Sequence, residues 1–128
     1  MTDIIFENQL IRIEIEQSEI PWLKIFTQKE IKEFSLCDHQ TKMQIWHALD
    51  VIEKEMLTYF KPEKINIASF GNYMPHVHFH IMARFKEDSF FPEPMWGKKQ
   101  RDAELDLPDV TSCYKNISAL LNSVSCLK

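Results

Sequence analysis

The segment Pro75-His-Val-His-Phe-His-Ile-Met-Ala-Arg-Phe85 holds three of the chain's five histidines at alternate positions. On an extended strand, residues two apart share a face and lie about 6.6 Å apart. His76, His78 and His80 then form a row of imidazoles, with Arg84 further along the same face, while Val77, Phe79 and Ile81 turn towards a core. Three readings of such a row differ in their chemistry. One is a solvated strand face with no role, for which β-branched or charged residues would serve better. Another is a metal site, because two histidines at i and i+2 make a good zinc pair, the third ligand coming from His39, His47, a carboxylate or a cysteine. The third is nucleophilic catalysis at phosphorus. A neutral imidazole attacks without prior deprotonation, and the phosphoramidate it forms is readily hydrolysed.

A strand needs neighbours, and the flanking sequence supplies them. Leu10-Ile-Arg-Ile-Glu-Ile-Glu16 alternates strictly, with Ile11, Ile13 and Ile15 on one face and Arg12, Glu14 and Glu16 on the other, the period of a half-buried strand. Ile4 to Phe6 forms a short strand ahead of it, closed by a turn at Glu7-Asn8-Gln9, and Trp22 to Thr27 resumes after Pro21. The period then changes. Ser35-x-x-Asp38 resembles a capping box, and Asp38 can itself be the N-cap. Ile45, Leu49, Ile52, Met56 and Phe60 recur at helical steps until Lys61-Pro62, one apolar face of a long helix. Ile65 and Ile67 begin another strand, Gly71 to Pro75 turns, and Val77 to about Phe85 is the histidine strand. Residues 86–108 read as a long surface excursion with an apolar knot of Phe90, Phe91, Met95 and Trp96. An amphipathic helix spans about 109–124. Strands close in sequence to their partners predict an antiparallel sheet with segregated helices, an α+β fold in a single domain over 1–128.

Composition narrows the function. The chain has 128 residues, a net charge of −4 and only two glycines, Gly71 and Gly97. Glycine-rich phosphate loops need several glycines for close backbone approach, so neither a Walker A loop nor a dinucleotide turn fits. The acidic balance lacks the basic stripe of a nucleic-acid binder. Cys37, Cys113 and Cys126 have no paired spacing, which reads as reduced thiols in a cytoplasmic protein. There is no secretory leader pattern and no apolar run near the ~18–20 residues of a membrane span.

His76-Val-His-Phe-His80-Ile-Met82 resembles the signature of the histidine triad (HIT) family of nucleotide hydrolases and transferases. Ile20-Pro-Trp-Leu23, Lys64-Ile-Asn-Ile-Ala68, Gly71-Asn72 leading to Pro75, Ala83-Arg-Phe85 and Pro92-x-Pro-Met-Trp-Gly97 extend the resemblance over roughly 10–100. Together they look like a bacterial subgroup labelled diadenosine tetraphosphate hydrolase-like. The resemblance implies a five-stranded antiparallel sheet with two main helices, and a homodimer whose sheets run together. It implies a purine nucleotide substrate cleaved at the α-phosphate, in a phosphoramidate or a dinucleoside polyphosphate, with no cofactor or metal. His78 matches the nucleophile, His80 the histidine that hydrogen-bonds phosphate and helps the leaving group depart, and His76 the one that fixes the nucleophile through the backbone.

Further positions follow the same resemblance. Asn72 is the candidate for the amide that donates to phosphate; the acidic residue that receives the ribose hydroxyls has no direct equivalent, and Glu16 or Gln17, at the end of the first long strand, are the positions for it. Trp96 matches a closing residue over the site, and Arg84 could reach phosphate or pair with an acidic neighbour. Ile11, Ile13 and Ile15 could line a base pocket or pack in the core. Two departures stand out: Trp22 occupies the place of a fourth histidine, and the loop before the triad is short and poor in glycine. They motivate the alternative of a non-catalytic nucleotide-binding regulatory protein on the same fold. A zinc-dependent hydrolase using the histidine row is the other.

Overall fold

A computed structural model describes residues 3–124; Cys126 lies outside them. The strands are β1 (Ile4–Glu7), β2 (Ile11–Ile15), β3 (Trp22–Thr27), β4 (Lys64–Ala68) and β5 (His78–Arg84), and the helices α1 (His39–Phe60) and α2 (Val110–Asn122). All strand pairs are antiparallel, in the order β1-β2-β3-β5-β4. The fold is the expected α+β, five strands with two helices. β5 lies inside the sheet, paired on both edges, so its backbone cannot shift without breaking two ladders.

Local chemistry explains the element ends. Asn8 Oδ1 accepts the backbone N–H groups of Leu10 and Ile11, each at 2.9 Å, and so turns β1 into β2. Asp38 is the N-cap of α1, its carboxylate accepting from the Thr41 N–H at 2.7 Å. Ser35 falls instead in a short 3-10 turn, Phe34–Leu36. Lys61 ends α1 in the left-handed region at φ 50°, and Pro62 stops any continuation.

The two faces of the sheet divide as the alternation predicts. Ile11, Ile13, Leu23, Ile25 and Ile81 are fully buried with Ile45, Ile52 and Met56 of α1, each such side chain stabilising the fold by about 1.5–3 kcal/mol. Ile11 and Ile13 are therefore core residues and not the lining of a base pocket. The opposite face carries Arg12, Glu14, Lys24, Phe26, His78 and His80, aligned by the pairings Arg12↔Phe26↔His78 and Glu14↔Lys24↔His80.

Arg84 takes the second of its two sequence readings, the ion pair with an acidic neighbour. It is 2% exposed and fully engaged, so it cannot reach a phosphate. Nε and Nη2 donate to the two carboxylate oxygens of Asp88 at 2.9 and 3.0 Å, Nη1 to Asn66 Oδ1, and Nη2 also to the Glu93 carbonyl. Asp88 in turn accepts the backbone N–H groups of Phe85, Phe90 and Phe91. Arg101 donates to the carbonyls of Asp88 and Phe91, and Glu19 accepts the Ser89 N–H. This network holds the 86–108 excursion on the sheet without a helix or strand of its own.

Arg84→Met leaves the Asp88 carboxylate buried and uncompensated, so urea unfolding should show a loss of about 3–5 kcal/mol. Adding Asp88→Leu should recover much of it, and a single-variant loss below about 1 kcal/mol would count against the network. Burial pushes the Asp88 carboxyl up, but Arg84 and the three N–H donors outweigh it and hold it below the usual range. The carboxylate's contribution is thus complete above the ordinary value of about 4 and is lost as pH falls through the lowered one.

Candidate active site

The turn ahead of β5 sets up the histidines. Gly71 adopts φ +74°, a conformation that side chains rarely take. The chain then re-enters with the His76 N–H on the Met74 carbonyl and the Val77 N–H on the Ile31 carbonyl. His76 precedes the strand, so the row of three imidazoles is a row of two. The His76 ring is buried, with Nε2 donating to the Thr27 carbonyl at 2.7 Å and lying 3.0 Å from Thr27 Oγ1. The Thr27 hydroxyl proton is already given to the Lys29 carbonyl. Among the described residues no group of three or more His, Cys, Asp or Glu is arranged to hold a metal ion.

Hydrogen-bond partners fix the protons of the remaining two rings. His78 Nδ1 lies 2.8 Å from the backbone carbonyl of His76. A carbonyl only accepts, so Nδ1 carries the proton and Nε2 keeps its lone pair. His80 is arranged the opposite way. Its Nδ1 accepts the Trp22 indole N–H at 3.0 Å, and an indole nitrogen only donates. In neutral His80 the proton is then on Nε2. Two rings 5.0 Å apart present one nucleophilic nitrogen and one N–H donor.

Aromatic side chains enclose the pair. His78 stacks on Phe26 at 4.9 Å and 17°, with the Arg12 guanidinium 4.6 Å from the Phe26 ring centre. His80 meets Trp22 and Trp96 edge to face at 5.7 and 4.8 Å, and Phe70 at 6.3 Å. Burial pushes the His80 imidazolium down to about 4, the charges of His78 and Lys24 adding to the effect and Glu16 opposing it. The nearby cations are paired, Lys24 with Glu16 at 2.9 Å and Arg12 with Glu14 at 2.6 Å.

The other residues named from the sequence divide. Trp96 reaches the site from its own chain, held by a turn in which the Gly97 N–H bonds the Pro94 carbonyl. A Cβ at Gly97 would lie 3.1 Å from that carbonyl, a tight contact to which the turn would have to give by a few tenths of an ångström. Glu16 stands at the rim through Lys24, whereas Gln17 donates to Asp3 and is exposed. Asn72 is exposed on the turn, and no contact joins it to the histidines among the described residues. Sequence reasoning missed Phe26 and Thr27 as partners of the histidines, and Trp22 as a partner of His80. Their alternation on β3 placed Trp22 and Phe26 on one face, but the register with β5 is not a local property. A hollow of about 620 Å³ reaches from His76 and Phe70 to α1, lined there by Phe34, Trp46, Leu49 and Phe79 among others.

Known proteins share this fold. The structure is similar to a histidine triad protein from Bradyrhizobium japonicum, with 29% identity and a TM-score of 0.71 over 93% of this chain and 87% of that one. It is also similar to a histidine triad protein from Marinobacter aquaeolei, with 21% identity and a TM-score of 0.70 over 95% and 87% of the two chains. A hypothetical histidine triad nucleotide-binding protein from Sulfolobus tokodaii shares the fold at 12% identity and a TM-score of 0.57, over 94% and 80%. No curated protein matches the sequence. The HIT domain model matches residues 3–87, well over half of the chain. On that match the chain belongs to the HIT domain family, whose members are broadly nucleotide-binding hydrolases and transferases.

Proposed function

We propose that the protein is a nucleotide hydrolase or nucleotidyl transferase that cleaves at the α-phosphate through a nucleotidyl-His78 intermediate. The observation that carries this reading is the complementary pair of Nε2 atoms, a lone pair on His78 beside an N–H on His80. In the first step the His78 Nε2 lone pair attacks the α-phosphorus, and the bond to the leaving group breaks with its electron pair on the departing atom. The His76 carbonyl stabilises the Nδ1–H of the ring as positive charge develops there. His80 donates a hydrogen bond to an oxygen at phosphorus, where a preorganised donor acts on developing charge. Water then attacks the same phosphorus, the N–P bond returns its pair to Nε2, and the proton of water goes to solvent.

The remaining groups support a nucleotide on this face. In this reading Glu16, paired with Lys24 at the rim, receives the ribose hydroxyls, and Asn72 on the exposed turn donates to a phosphate oxygen. The diadenosine tetraphosphate hydrolase-like motifs favour a purine nucleotide, and the unpaired spacing of the cysteines favours the cytoplasm. A homodimer is supported by β4, whose outer edge is unpaired. Beside it Trp46, Ile67 and Phe70 are 70, 46 and 54% exposed, a large apolar area for a monomer to leave in water. A second copy pairing along β4 would join the two sheets and cover that hollow.

Trapping with a dinucleoside polyphosphate and an adenosine phosphoramidate, followed by peptide mass spectrometry, should place the nucleotidyl group on His78. His78→Gln should lower turnover by about 1000-fold or more, and His80→Asn by about 100- to 1000-fold. His76→Gln, which keeps the backbone carbonyl, should cost less than either. A wild type that binds AMP but turns over neither substrate would favour the regulatory alternative. Light scattering should give the mass of a dimer for wild type and of a monomer for Trp46→Glu; a monomeric wild type rules the assembly out.

A further inference from the structure

The hydrogen bond from the Trp22 indole has a consequence for the leaving group. Indole nitrogen has a proton to give and no lone pair to offer, so His80 Nδ1 can only be an acceptor while the 3.0 Å bond lasts. Adding a proton to Nδ1 would set two N–H groups head to head. The rest of the surroundings point the same way. Trp22, Trp96 and Phe70 surround the ring with apolar edges. The charged and titratable groups that face it are Lys24 across the β3–β5 ladder, Glu16 bound to that lysine, and His78 on its own strand. β4 places Ala68 opposite it, and the 86–108 segment brings only Trp96. No carboxylate accepts a proton from either nitrogen of His80 among the described residues.

Trp22 itself is firmly seated. Its backbone N–H donates to the buried Tyr114 hydroxyl of α2 at 3.0 Å, and its ring packs edge to face on Trp96. The indole is therefore aimed by both the C-terminal helix and the 86–108 excursion.

We propose that Trp22 is a positioning residue that holds His80 as a neutral hydrogen-bond donor, and that this restricts the site to phosphoric anhydrides over phosphoramidates. The proposal rests on the hydrolase reading above and names its substrate class. A neutral imidazole that surrendered its Nε2 proton would become an imidazolate, a far stronger base than the groups it faces. His80 thus donates a hydrogen bond and keeps its proton; neutral histidine serves as an electrophile in this way elsewhere. An anhydride tolerates that. The N–P bond to His78 forms, the P–O bond breaks, and the electron pair stays on a phosphate oxygen whose conjugate acid has a pKa near about 6, so no proton moves. A phosphoramidate does not tolerate it. Its P–N bond breaks onto an amine nitrogen, which must gain a proton to leave, and a neutral His80 has none to spare.

Two substrates and one atom test the proposal. Wild-type enzyme at pH 7 should hydrolyse diadenosine tetraphosphate with a kcat/KM about 100-fold or more above that for adenosine 5′-phosphoramidate, the scale of one general-acid contribution. Trp22→Phe, or a benzothienyl-alanine at position 22 that puts sulfur in place of the indole N–H, should shrink that ratio by about tenfold or more. In these variants the phosphoramidate rate should exceed that of wild type, most of all towards pH 6, because Nδ1 of His80 no longer faces an indole N–H and takes a proton more readily. Long-range 1H–15N spectra of histidine-labelled protein supply a readout that needs no activity. Wild-type His80 should show a bare Nδ1 and a protonated Nε2 well below pH 6. The sulfur isostere should take up its Nδ1 proton at a higher pH than wild type, while burial and the charges of His78 and Lys24 still hold it below the ordinary imidazole value of about 6.5.

A wild type that cleaves both substrates equally well overturns the restriction. His80 spectra that are unchanged by the isostere, or that show a cation at pH 7, overturn the indole's role. No turnover of either substrate overturns the hydrolase reading and the leaving-group restriction with it, while the spectra still decide whether the indole holds the neutral form.

Discussion

The register between β3 and β5 is the constraint on which the site depends. It sets Phe26 opposite His78 and Lys24 opposite His80, with Trp22 one step further on opposite Met82. From there Trp22 reaches His80 Nδ1 and Phe26 stacks on His78. Side chains alternate along a strand, so a slip of one residue would send all of these to the helical face. The slip is prevented because Leu23, Ile25 and Ile81 are fully buried on that opposite face. The apolar half of each strand thus holds the chemical half in place.

The second requirement is a wall on the far side of His80, and a buried ion pair supplies it. Desolvating Arg84 and Asp88 is costly, and the cost is offset by their bidentate contact, by Asn66 and the Glu93 carbonyl, and by three backbone N–H groups. An apolar pair could fill the same volume. It could not satisfy the polar backbone of a segment that forms neither helix nor strand, and buried backbone groups need partners. With the segment held, Trp96 lands against His80, Trp22 and Phe70. Most of the aromatic enclosure around the histidines therefore traces to residues distant in the chain.

Much of this was legible beforehand, for identifiable reasons. The alternation in 10–16 and the three- and four-residue steps in 45–60 are local patterns, and β2 and α1 appear where those patterns lie. Asp38 and Pro62 mark the ends of α1 because capping and the missing proline N–H act over a few residues. For Arg84 the sequence left phosphate contact and an ion pair both open, and the structure decides for the ion pair. The arginine's place on the histidine face was inferred correctly, yet its engagement with Asp88, Asn66 and Glu93 depends on how a patternless segment folds back. Gln17 was likewise named for its place at a strand end, where its actual partner, Asp3, comes from ahead of β1. Burial of His76 could not be read either, since on the sequence it is the equal of its two neighbours.

By itself the sequence determined most of the elements, the faces of the strands and the clustering of three histidines at alternate positions, because those follow from periodicity and residue type. Only the tertiary structure decided which nitrogen of each ring carries the proton. That choice depends on a carbonyl two residues away for His78 and on an indole 58 residues away for His80. The alternating pattern treats the three histidines alike. Their unlike surroundings, a carbonyl, an indole and a threonine, leave one with a bare Nε2, one with a proton on Nε2 and one as a buried brace.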